Sequence, residues 1–96
     1  MTGDDTVTST IVWEGIEIEV TYAAKSILNR AHLELRIPTK ESIPVTETGY
    51  RSEFLEPGLV EEQGGPAAYT RAWLDYMAGS REWQDYVLKN RQLSLF

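Results

Sequence analysis

The stretch TIVWEGIEIEV, Thr10 to Val20, decides how this chain folds. Continuing from it, Ile16, Ile18, Val20 and Tyr22 alternate with Glu17, Glu19 and Thr21. A period of two with one apolar and one charged set is the pattern of a strand with one buried and one wet face. Glu14-Gly15 is the turn that feeds it, so the stretch predicts a hairpin. Two registers are open. A two-residue loop sets Trp13 across from Ile16 and Ile11 across from Ile18, all on the core face. A three-residue loop with a glycine bulge puts Trp13 in the turn and makes Val12 the inward residue. The first is favoured because it buries more apolar surface.

Working outward, HLELRI repeats the alternation, with Leu33, Leu35 and Ile37 against His32, Glu34 and Arg36. It predicts a third strand whose polar face brings Arg36 and His32 near Glu17 and Glu19. The intervening AAKSILNR reads as a loop or one helical turn. Residues 1–8 are polar and read as a disordered arm. From Pro38 to Pro66 the chain is rich in Pro, Gly, Thr and Glu; VTETGY offers a short edge strand, and EPGLVEEQGGP reads as turns. Tyr50 and Phe54 are expected to pin this segment to the core. Gly65-Pro66 opens a helix, since proline at the first position loses no bond. Its apolar stripe is Tyr69, Trp73, Tyr76 and Met77. Gly79 closes it, Ser80 caps a second helix, and Trp83, Tyr86 and Val87 continue the stripe to about Lys89. The expectation is a single α+β domain over residues 9–90: an antiparallel sheet of three to four strands packed against two C-terminal helices.

Composition narrows the function. The 96 residues carry a net charge of −6 and no cysteine. An acidic body is a poor match for phosphate backbones, so direct nucleic-acid binding is not expected. Without cysteine there are no disulfides or thiolate sites, and His32 is the single histidine, too little for a zinc site or a histidine-based triad. Gly64-Gly65 before a helix lacks the spacing and lysine of a phosphate loop. Glu14, Glu17, Glu19 and Glu34 read as a charged, wet sheet face rather than a metal or acid/base site. No cofactor, metal or catalytic residue is expected, and the chain reads as non-enzymatic. No apolar run reaches the roughly 20 residues of a membrane span, and the acidic start is unlike a signal peptide. The expectation is a cytoplasmic protein.

Residues 91–96 are different in kind. Gln92, Leu93, Ser94, Leu95 and Phe96 resemble, at all five positions, the pentapeptide with which bacterial polymerases, repair proteins and loader subunits dock on the DNA polymerase sliding clamp. At average residue usage, a chance match in a chain this short is on the order of one in several thousand. The resemblance implies that Leu93, Leu95 and Phe96 fill a hydrophobic pocket, that the Gln92 amide hydrogen-bonds at its rim, and that Ser94 packs locally. Lys89 and Arg91 make the approach basic, which would steer it to an acidic partner. Alternatively, LSLF is a last strand or flap packed on its own core. WEGIEIEV, TETGYRSEF and GGPAAYTRAWLDYMA also resemble small uncharacterised bacterial proteins with the same ending. The function implied is an accessory protein in replication or repair, a recruiter or competitor at the clamp. Rival readings are an acidic DNA-mimic inhibitor, phage- or plasmid-borne, whose Glu-rich sheet face blocks a nucleic-acid enzyme, and a structural interaction domain with a buried tail.

Overall fold

A computed structural model describes residues 6–25 and 29–93, with side chains through Lys89. Four strands, β1 (Thr6–Trp13), β2 (Ile16–Ala23), β3 (Ala31–Arg36) and β4 (Tyr50–Leu55), form one antiparallel sheet in chain order. Three helices follow: α1 (Leu59–Glu62), α2 (Pro66–Ala78) and α3 (Arg81–Leu93). The α+β class, the antiparallel sheet and the helices that follow it are as the alternation predicts. None of the described helices is long and apolar enough to cross a membrane.

The hairpin takes the two-residue register, with Trp13 opposite Ile16 and Ile11 opposite Ile18. Both loop residues have positive φ, 50° at Glu14 and 80° at Gly15, the conformation whose twist suits antiparallel strands. Gly15 adopts it freely, whereas Glu14 is forced into it. Glu14→Asn should therefore raise stability by a few tenths to about 1 kcal/mol, read as a higher urea midpoint at unchanged m-value.

Ile18, Val20, Leu33 and Leu35 are almost fully buried on the core face, joined by Ile11, Trp13 and Tyr22. Polar tips on two of these anchor the helices. Trp13 Nε1 donates to Asp75 Oδ1 at 2.9 Å, and the Tyr22 hydroxyl donates to Glu61 Oε2 at 2.8 Å. Burial, reinforced by the Glu61 hydrogen bond and charge, pushes the Tyr22 phenol up to about 12. Folding thus favours the protonated phenol. Its contribution is complete below pH 10 and is lost as pH rises through 12. Alkaline unfolding followed by circular dichroism should show this loss, and Tyr22→Phe, with no proton to release, should diminish it.

Several expectations move. β1 already begins at Thr6, inside the stretch read as an arm; Met1 to Asp5 lie outside the described residues. The fourth strand is YRSEFL rather than VTETGY, paired with β3 so that Tyr50 faces Arg36 and Phe54 faces His32. This register turns both aromatics onto the outer face, 48% and 46% exposed, so they do not pin the segment to the core. Ile43 and Val45 of the preceding loop do so instead, with 1% and 7% exposure. EPGLVEEQGGP contains α1, whose Val60 is wholly buried.

The α2 stripe is also rotated. Thr70 and Leu74 are its buried residues, Tyr69, Trp73 and Met77 pack partly against the core, and Tyr76 is 81% exposed. Helix periodicity is satisfied by either face. Thr70 and Leu74 hold the fully buried positions, and the bulkier Tyr69, Trp73 and Met77 flank them, partly buried.

Candidate functional site

The expected site residues belong to the end of α3 and the three residues beyond it. Gly79 closes α2, its N–H donating to the Tyr76 carbonyl at 3.2 Å. Ser80 then starts α3. Its Oγ accepts from the Trp83 N–H at 3.2 Å and its carbonyl from the Gln84 N–H at 3.1 Å, satisfying donors that a helix start leaves open. Gln84 Nε2 ties back to the Ala78 carbonyl at 2.6 Å. Glu82 in the first turn and Lys89 near the end both complement the helix dipole.

Among the described side chains, those that hold α3 on the body lie in its first half. Trp83 meets Trp13 with ring centroids 6.3 Å apart, and stacks on Tyr86 at 5.1 Å. Trp83, Tyr86 and Val87 are half-buried, and Leu88 and Lys89 are exposed. Among the described residues, the buried apolar core runs from Ile11 to Leu74 and takes nothing from α3.

Of the expected site residues, Gln92 and Leu93 have their backbone in α3; their side chains are outside the description. Ser94, Leu95 and Phe96 lie outside the described residues. The helix thus extends past Lys89, where the apolar spacing stops. Docking in any extended form would require its last turn to unwind.

Two hollows flank the first half of α3. One, of about 560 Å³, lies between the Ile43–Glu47 loop and the helices, with Arg51, Met77, Trp83 and Tyr86 in its wall. Arg51 is oriented there by the Val45 carbonyl, which accepts from Nη1 at 3.0 Å, by an ion pair with Glu53, and by the Trp73 ring 5.7 Å from its guanidinium carbon. The other, of about 330 Å³, is lined by Trp13, Ile16, Trp83 and Val87. The sequence pointed to neither, because loop and helix meet only through the tertiary fold.

The sheet's other face is open. In register order it shows Thr10, Glu19, Arg36 and Tyr50 in one row, then Thr8, Thr21, Glu34 and Ser52, then Thr6, Ala23, His32 and Phe54. Arg36 lies opposite Glu19 as expected. His32 does not; its ring packs tilted against Phe54, centroids 4.7 Å apart, with Nε2 2.7 Å from Ser52 Oγ. The Tyr50 hydroxyl donates to Glu34 Oε2 at 2.7 Å, and that bond holds the phenol above its ordinary range. Three or more carboxylate and imidazole groups placed to hold a metal do not occur among the described residues.

Comparison with known proteins adds one relationship. No curated protein and no solved structure matches the chain. The family model described as the KlcB third domain matches residues 6–83. That span takes in the whole sheet, α1, α2 and the start of α3, and stops short of the pentapeptide. On this match the chain belongs to the KlcB third domain family.

Proposed function

We propose that this is a non-enzymatic accessory protein that docks on the bacterial DNA sliding clamp through Gln92, Leu93, Ser94, Leu95 and Phe96. It would serve as a recruiter or competitor in replication or repair, in the cytoplasm where the clamp works. The observation that carries the reading is the match at all five positions of the clamp-binding pattern. Two features of the fold support it. Among the described residues the buried core runs from Ile11 to Leu74 and is built by the sheet, its loops, α1 and α2. The family match ends at residue 83, so the motif lies outside the matched span.

Buried in a cleft, Leu93, Leu95 and Phe96 each contribute about 1.5–3 kcal/mol. Ordering the segment consumes much of that gain, which leaves a reversible contact of roughly micromolar strength. A synthetic peptide of residues 89–96 should displace a fluorescent clamp ligand from purified bacterial clamp. Failure to compete at about 1 mM, three orders of magnitude above the expected midpoint, would rule the reading out.

A further inference from the structure

We propose that the outer edge of β1 pairs with the same edge of a second copy of this chain, joining the two sheets antiparallel across a two-fold axis. The inference is independent of the pentapeptide and goes beyond the clamp reading.

The first ground is the register. Trp13 and Ile16 close a two-residue hairpin, and such a closing pair exchanges both backbone hydrogen bonds. Bonded and unbonded positions alternate from there, so Val12, Thr10, Thr8 and Thr6 turn their N–H and C=O groups away from β2. Among the described residues, the Val12 carbonyl is met by Arg71 Nη1 at 3.0 Å. No described strand lies beyond β1.

The second ground is the contrast between the two edges. Proteins protect edge strands with charge, proline or bulges. β4 is protected: Arg51 and Glu53 point to its helix-covered side, where they form an ion pair. β1, TVTSTIVW, has no charged residue over its eight positions, although a quarter of the chain is charged. From Thr6 to Thr10 every residue is exposed. Val7, on the side the helices should cover, is 54% exposed, and Val12 on the open side is 57% exposed.

A second copy fits this edge because the strand matches itself in reverse. With the axis at Ser9, Thr8 faces Thr10, Thr6 faces Val12 and Val7 faces Ile11. Threonine pairs and apolar pairs are favourable cross-strand neighbours. Thr8 and Thr21, 3.3 Å apart at their hydroxyls, already form one such pair within the sheet. Repulsion between two bodies of charge −6 does not defeat the contact. The acidic strand β2 stands one place back from the edge, so the two rows of glutamates would be three strand spacings apart, about 14 Å. That exceeds the screening length of roughly 8 Å at physiological salt.

Sedimentation equilibrium over a concentration series tests this. The chain should approach twice its 10.9 kDa mass at high micromolar concentration. Thr10→Pro removes an outward N–H that β2 does not use, and should weaken self-association at least tenfold with unchanged circular dichroism. Thr8→Lys, which keeps the backbone intact, should do the same and decides the matter if the proline variant fails to fold. A wild-type mass of 10.9 kDa up to about 1 mM, or dimers that survive Thr8→Lys, would overturn the proposal.

Discussion

Trp13→Ala should lower the free energy of unfolding by about 3–5 kcal/mol, the usual loss when a buried aromatic is cut to alanine. Trp13 is 6% exposed and joins three parts of the molecule. Its ring lies on the core face of the hairpin, its N–H reaches Asp75 on α2, and Trp83 of α3 packs against it. A chain of this length holds only about 5–14 kcal/mol in total, so the variant should be marginal at 37 °C. Trp13→Phe separates the contributions. Asp75 is exposed and regains water when the indole N–H is lost, so the phenylalanine variant should lose only about 1–2 kcal/mol. Urea titration of the three proteins measures both steps. A loss under 1 kcal/mol for the alanine variant would mean that the contact between hairpin and helices is not a main support of the fold.

The second large effect concerns function. Changing Leu95 and Phe96 together to alanine should weaken clamp binding more than a hundredfold, because two anchors of about 1.5–3 kcal/mol each are lost. On the docking reading the same change should leave the urea midpoint almost unmoved. The combination separates the two readings of the pentapeptide. A docking segment loses affinity and keeps stability, whereas a flap over its own core loses stability. A lower midpoint with clamp binding intact would remove the proposed function and leave the edge pairing of β1 untouched.

How much of this was legible depends on the range of the forces involved. The hairpin register could be read from Trp13, Ile16 and Ile18, because a slip of one residue would expose the whole apolar set. The start of α2 at Pro66 and the cap at Ser80 were equally local. The fourth strand was misplaced because YRSEFL does not alternate cleanly. Its inward positions, Arg51 and Glu53, are charged, which suits an edge but imitates a loop. Val60 was missed since a single helical turn has no period to detect. Of the α2 stripe, Tyr69, Trp73 and Met77 pack against the core as read, whereas Tyr76 is exposed and Thr70 and Leu74 hold the buried positions. Among the candidate site residues, the likeness of Gln92 to Phe96 to the clamp-binding pattern rests on the sequence alone. The helical backbone at Gln92 and Leu93 was not legible, because the apolar signal fades after Val87.

The sequence by itself determined the hairpin, the two-faced strands and the presence of a clamp-like pentapeptide, since each depends on neighbours within a few residues. Only the tertiary structure decided that the Ile43–Val45 loop plugs the core, that Tyr50 and Phe54 face outward, and that β1 is the edge of the sheet among the described strands. Those outcomes turn on which distant segments meet, and packing across the whole domain selects among partners that local pattern leaves equivalent.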